Sequence, residues 1–348
     1  MSNKIKHIAV MRLSAMGDVA MTVPVLRAFV KQYPDVKLTV ISRPFFKPFF
    51  DGIPNLDFFA FDEKERHKGF PGLLRLYRDV KKFKIDAFAD LHNVLRSKVV
   101  SLLFALSGKK RATVDKGREG KKELTRSENK IFKQLPTMFE RHVKVFEELG
   151  FPLNLSQPEF PEKAKLDTAV LEIIGNQSQK LIGIAPFAQY DSKVYPIDLM
   201  TEVISTLAQN PNHKILLFGG GKKEIDVLDS LSKPFENVIN MAGKIKFQQE
   251  LQLISNLDVM LSMDSGNAHI AAMLGIKVIT LWGATHPYAG FLPFNQSLED
   301  ALTSDRNQYP KLPTSVYGNK IVEGYEDAMR SISPEKVAAK IQEQIQFQ

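Results

Sequence analysis

The sequence predicts an α/β protein built from parallel sheets covered on both faces. One observation is that short apolar runs bounded by turn residues alternate with longer helical patterns along the whole chain. The other is that a buried-strand pattern twice runs straight into a polar, glycine-containing turn and then a helix. The first instance is HIAVMRLSAMGDVAMTVPVLR at 7–27, and the second is LDVMLSMDSGNAHIAAMLGIKVITLWG at 257–283. In an open α/β sheet such turns stand at the carboxyl ends of strands, where ligands bind. Two such crevices in one chain imply two facing half-sites.

Taken in order, the strands of the first half are 5–13, 38–42, 58–61 and 87–91, and those of the second are 181–185, 214–218, 238–241, 259–263 and 278–281. Amphipathic helical stretches fall at 98–106, 199–208, 224–231, 248–255 and 268–274. Pro334 marks the start of a last helix over 335–346. The segment FPLNLSQPEFPEKAK at 151–165 holds three prolines and no period, so it reads as the linker between two domains. The basic stretch 109–133, with ten Lys or Arg, reads as a loop excursion rather than core.

A chain of 348 residues is long enough for two domains, each with its own core. No apolar run approaches the roughly 18 residues that span a bilayer, and the N-terminus lacks the apolar core and cleavage site of a signal peptide. A cytoplasmic, soluble protein is the expectation. Without cysteine there is no disulfide framework, thiol nucleophile or thiolate metal site. The net charge of +8 is uneven: up to Lys165 there are 32 Lys and Arg against 19 Asp and Glu, leaving 15 against 20 for the remainder. Either the first half meets something acidic, such as a phosphorylated sugar, an anionic membrane or nucleic acid, or its basic surface is merely solvated.

In the first crevice, RLSAMGD, Gly17 allows a sharp turn and close approach of a ligand, and Asp18 stands at the mouth as a carboxylate. Asp18 can serve as general base to an attacking hydroxyl, or it can simply cap the following helix. Thr22 competes for the cap, with Pro24 then in the first turn. A single glycine does not make a dinucleotide pyrophosphate loop. In the second crevice, MDSGNAH, backbone amides around Ser265, Gly266 and Asn267 at a helix start form a phosphate seat. His269 can add a donor, although a lone helical histidine is more often structural. Asp264 would repel phosphate and suits a cap or sugar hydroxyls better. The loop IAPFAQYDSKVYP at 184–196 carries Lys193, which can neutralise charge on a leaving diphosphate, although exposed lysines are usually only solvated. The three glycines of KILLFGGGKKE suit either a nucleotide against backbone or a flexible loop. No Walker lysine loop, zinc motif, nucleophile elbow or Asp-x-Asp pair is present.

These segments resemble glycosyltransferase family 9, the bacterial lipopolysaccharide heptosyltransferases. RLSAMGDVAMTVPVLRAF at 12–29, DLHNVLRS at 90–97, SKVYP at 192–196, MDSGNAHIAAMLG at 263–275, WGATHP at 282–287 and MRSISPEKV at 329–337 follow the family's order. The resemblance implies two Rossmann-like domains facing across a cleft, of GT-B type. An acceptor domain would span 1–160, a nucleotide-sugar domain 161–330, and a C-terminal helix over 331–348 would pack back toward the N-terminal domain. It also implies an inverting, metal-independent transfer of a heptose or related sugar from a nucleoside diphosphate, ADP-heptose foremost, with no cofactor. Asp18 then becomes the base and Lys193 the second catalytic residue. Donor contacts are expected from Gly17, Glu224, Ile245, Asp264, Ser265, Gly266 and His269. Acceptor contacts are expected from Ser14, Arg43, Lys47, Arg66, Arg96 and His142. The expected acceptor is an anionic, lipid-linked saccharide at the inner face of the cytoplasmic membrane, with peripheral attachment through charge. The competing readings are a sugar-nucleotide epimerase on the same scaffold, a catalytically silent nucleotide-sugar sensor, and a nucleic-acid-binding protein. Nucleic acid is disfavoured because aromatics do not interleave with the basic residues of 109–133.

Overall fold

The computed structural model describes residues 5–175, 178–320 and 322–346. In chain order the elements are β1 (His7–Met11), α1 (Met16–Ala20), α2 (Val23–Gln32), β2 (Lys37–Ser42), β3 (Leu56–Ala60), α3 (Gly69–Lys81), β4 (Ala87–Asp90), α4 (Leu95–Leu106), β5 (Lys110–Thr113), α5 (Arg118–Thr125), α6 (Met138–Leu149) and α7 (Thr168–Ile174). There follow β6 (Lys180–Ala185), α8 (Ile197–Ala208), β7 (His213–Leu217), α9 (Lys222–Ser232), β8 (Val238–Asn240), α10 (Phe247–Ile254), β9 (Val259–Met263), α11 (Gly266–Met273), β10 (Lys277–Trp282), β11 (Ala301–Thr303) and α12 (Pro334–Gln346). The chain divides into two compact units, Met1–Arg118 with Pro136–Phe160, and Glu119–Leu135 with Pro161–Gln348.

Each unit holds one sheet whose strand pairs are all parallel, ordered β3-β2-β1-β4-β5 in the first and β11-β10-β9-β6-β7-β8 in the second. Counted from its own first strand, the second sheet has the Rossmann order, and the first has it less one strand. The reason lies in the strands: Ile8 to Met11 and Val259 to Met263 are fully buried, because helices cover both sheet faces. One face of the first sheet packs Met11, Ile41 and Phe88 under Leu73, Leu76, Val80, Val100 and Phe104 of α3 and α4. In the second unit Ile184, Leu217, Leu261 and Leu281 meet Met200, Val203 and Ile204 of α8.

Two expectations change. The segment 151–165 is not a bare tether. Its first part lies along α2, where the Tyr33 hydroxyl donates to the Pro152 carbonyl at 2.7 Å and Gln32 exchanges two hydrogen bonds with Asn154. Its last part is tied to the second unit, Ala164 bonding to Ser255 and Asn256. The basic stretch 109–133 supplies β5 and α5, with Leu124 buried. Its residues from Glu119 onward belong to the second unit, where Leu135 donates to Tyr288, Lys130 to Pro313, and Arg306 stacks 3.5 Å above the Phe132 ring. Positive charge alone could not reveal that cations would be satisfied by carbonyls and aromatic faces. The C-terminal helix belongs to the second unit. Val337, Ala338, Ile341 and Ile345 of α12 join that unit's core beside α8, and the buried Tyr195 hydroxyl donates to Ile332 just before it. Burial of that apolar face accounts for the placement.

Candidate active site

In the first sheet the order reverses between β1 and β4, so the chain segments leaving these strands lie side by side at the carboxyl edge. Met11 pairs with Asp90, which sets Arg12 beside Leu91. The Arg12 guanidinium donates to the carbonyls of Leu91 at 2.7 Å and Ser14 at 2.8 Å and pairs with Asp18 at 2.5 Å. Because α1 starts at Met16, Asp18 falls in its first turn and reaches back to accept the Ala15 amide at 3.2 Å. The two readings of Asp18 therefore coexist: one carboxylate steadies the helix start and, with its side chain 29% exposed, is open to a ligand. Thr22 precedes α2 with Pro24 in the first turn, but its hydroxyl donates back to Val19 at 2.7 Å instead of capping. Gly17 lies within α1 in the first unit and makes no positive-φ turn. Its expected donor role is thus not tied to a phosphate-binding turn.

At the end of β4, Asp90 is buried and accepts the amides of His92 and Asn93 at 2.9 and 2.8 Å and the Ser97 hydroxyl at 2.9 Å. Burial raises its pKa above the usual carboxylate range. Burial also pushes His92 down to about 3, helped by the charges of Arg12 and Lys116, so its ring is neutral. Lys116 is lowered by burial and by Arg12, and it also feels Asp18 and Asp90. Arg12, Asp90, His92 and Lys116 were missed as site residues, although Arg12 opens the RLSAMGD motif and Asp90 and His92 open DLHNVLRS.

The expected acceptor residues are divided. Ser14 is half-buried beside Arg12. Arg43 and Arg96 share Glu63 at 2.9 and 2.8 Å, a carboxylate that sequence reasoning overlooked. Lys47 is exposed on the short helical turn Pro44–Phe49, which packs against α1. Arg66 is instead committed to Asp79 through two hydrogen bonds at 2.7 and 2.9 Å. His142 needs the clearest correction: it is fully buried on α6, and burial followed by the Arg12 charge pushes it down to about 3. It backs the site as a neutral ring and offers no surface to a ligand.

The second sheet reverses between β6 and β9. Loop 186–196 leaves β6 and folds over the end of β9, where Lys193 Nζ donates to the Asp264 carbonyl at 2.5 Å and to its carboxylate at 3.2 Å. Thr285 donates to the same carboxylate at 2.9 Å. Asp264 thus neither caps α11 nor confronts a phosphate uncompensated. Ser265 is the residue before the helix, its hydroxyl 3.0 Å from that of Ser262, and Gly266 opens α11 with its amide in the first turn. His269 follows one turn on and is buried.

The loop is clamped from outside. The Ser192 hydroxyl donates to Gly318 at 2.6 Å and its carbonyl accepts the Ala284 amide at 3.0 Å. A side chain at Gly283 would meet the Ser192 carbonyl at 2.3 Å, and one at Gly318 would meet the Lys193 stem at 2.6 Å. Thr285, Gly283 and Gly318 escaped sequence reasoning, though WGATHP contains the first two. After β7, Glu224 in the first turn of α9 accepts the Gly220 amide at 2.7 Å. Phe187 leans on this loop, within 3.3 Å of a Cβ placed at Gly219. Ile245 is half-buried after β8. Among the described residues no three His, Cys, Asp or Glu side chains gather as metal ligands.

Two Rossmann-like units, one presenting a carboxylate and the other a lysine beside a helix start, give the chain a GT-B architecture. The sequence profile of glycosyltransferase family 9 (heptosyltransferase) matches residues 73–320, and the chain belongs to that family. It is 26% identical over 288 residues to the lipopolysaccharide core heptosyltransferase OpsX of Haemophilus influenzae, covering 81% of this chain and 80% of that one. Among solved structures it is similar to a family 9 glycosyl transferase from Veillonella parvula, with a TM-score of 0.75 and 19% identity over 100% of this chain and 99% of the other. It is also similar to the heptosyltransferase WaaC of E. coli with ADP, with a TM-score of 0.67 and 17% identity over 97% and 99%.

Proposed function

We propose that this chain transfers a heptose, or a related sugar, from ADP-heptose to the inner core of a lipopolysaccharide precursor, with inversion and without a divalent ion in the catalytic step. The acceptor oxygen attacks the anomeric carbon and its proton passes to Asp18. The bond from that carbon to the diphosphate oxygen breaks, and the departing charge is met by Lys193 and the amides at the start of α11. Glu224 and Ile245 are the proposed contacts to the nucleoside, and Asp264 and His269 are proposed to support the donor seat. Ser14, Arg43, Lys47 and Arg96 are proposed to hold the anionic acceptor.

One observation carries this reading: Lys193 and the α11 start converge on Asp264 at the strand-order reversal of the second sheet, with Thr285 holding the carboxylate. It is supported by the family and by relatives named for lipopolysaccharide heptosyl transfer. An acceptor on a lipid would be met at the inner face of the cytoplasmic membrane by a cytoplasmic, peripheral enzyme, and no helix among the described residues is long and apolar enough to cross a membrane.

Turnover of ADP-heptose with a delipidated inner-core acceptor tests the proposal, comparing wild type with Asp18→Asn, each with and without chelator. The variant is expected to lose roughly 10²–10⁴-fold in kcat with ADP binding retained, and the chelator to change neither enzyme. Undiminished turnover of the variant rejects the base. Consumption of donor to a new sugar without acceptor would favour the epimerase reading.

A further inference from the structure

The first unit shows an apolar stripe that its own core does not use. In α4, Leu95, Leu102 and Leu106 are 79%, 49% and 77% exposed, whereas Val100 and Phe104 are buried against the sheet. At about 100° per residue, positions i, i+7 and i+11 fall within roughly 20° of one line, and that line lies opposite Phe104. Beside it runs α3, packed on the same sheet face, with Phe70 63% exposed at its start. The stripe is set in positive charge. Between residues 66 and 111 there are 12 Lys and Arg against 3 Asp, and Arg75, Arg78, Lys81 and Lys98 are exposed and form no ion pair among the described residues.

We propose that the outer face of α3 and α4 is a docking surface for an anionic lipid bilayer. Exposed leucines along one helix line are what a helix lying in the headgroup region buries, and arginines and lysines around them match the charge of the inner leaflet. A second copy of this chain suits the face less well, because a two-fold contact would set the same unpaired cations against each other. A polyphosphate partner leaves the leucine line unused. The inference draws on the peripheral location proposed above but not on the sugar chemistry, and its test needs no turnover.

The test is co-sedimentation of the full chain with phosphatidylglycerol-containing vesicles and with pure phosphatidylcholine vesicles, at low and high salt. Wild type is expected to bind the anionic vesicles and to be released by salt. Leu102→Glu with Leu106→Glu is expected to weaken binding on the order of tenfold, and Arg75→Ala with Arg78→Ala roughly thirtyfold at low salt. Calorimetric ADP binding and the thermal transition should be unchanged in both pairs, which separates lost docking from lost folding or lost donor binding. Equal affinity for neutral and anionic vesicles, or vesicle binding unaltered by both pairs, overturns the proposal. A dimer that becomes monomeric in the leucine pair while its vesicle binding is unchanged assigns the face to a second copy and overturns it as well.

Discussion

Arg12 grips Asp18 at 2.5 Å while anchored to two main-chain carbonyls, so the candidate base is oriented by a guanidinium that is itself almost fully buried. Removing the guanidinium takes a donor from the carbonyls of Ser14 and Leu91 and the ion-pair partner from the carboxylate, which keeps the Ala15 amide. Arg12→Met should therefore cost about 2 kcal/mol of stability and lower kcat with little effect on ADP affinity. Arg12→Lys should rescue only part, because an ammonium cannot bond in a planar fork to three acceptors. Urea denaturation and steady-state kinetics check this, and a wild-type Arg12→Met enzyme would show that the pair is incidental.

Lys193 and Asp264 form the corresponding pair of the second unit. Lys193→Ala should cut kcat by about 10²–10³ and weaken ADP binding, because the buried carboxylate is left to face the nucleotide's phosphates. Adding Asp264→Asn to Lys193→Ala should then restore ADP affinity in part. Calorimetry on the single and double variants measures this coupling, and strictly additive losses would deny it.

Gly318 has φ of +85°, and a Cβ there would come within 2.6 Å of the Lys193 stem. Gly318→Ala should lose about 1–3 kcal/mol and also displace Lys193, so ADP affinity falls with stability. Gly52 makes the control, with φ of +74° but nothing within 4 Å of its Cβ. Gly52→Ala should lose about 1 kcal/mol and leave ADP binding intact.

His92 and His142 are each pushed by burial to about 3 in the folded chain, from the ordinary imidazole value of 6.5. Between those values the unfolded chain binds a proton on each ring that the folded chain does not. Their contribution to stability is therefore present above pH 6.5 and is lost as pH falls, with a slope up to about 1.4 kcal/mol per pH unit for each ring. His142→Phe should remove one ring's share of that slope between pH 6.5 and 5 in denaturant titrations. An unchanged slope would mean that His142 accepts a proton in the native state.

Legibility followed locality. Strands such as Val259–Met263 and the helix starts after them were readable because burial on both faces leaves an unbroken apolar run and a turn leaves glycine and polar residues beside it. The strands β5 (KRAT) and β11 (ALT) were not, since four and three residues carry no period and exist only because a neighbouring strand pairs with them. Asp18, Lys193, Asp264 and Ser265 stood out by their place after strands. Glu63, Asp90 and Thr285 did not, because a carboxylate or hydroxyl becomes part of a site only through partners distant in sequence.

By itself the sequence determined the parallel α/β class, the two strand-turn-helix segments and the family, all of which depend on short-range pattern or on motifs in order. Only the tertiary structure decided that Arg12 holds Asp18, that His142 is sealed inside, that Arg66 is taken by Asp79, and that α12 lies against α8. Charge and burial are properties of neighbourhoods, and the neighbours that set them are brought together by strand order and register, not by adjacency along the chain.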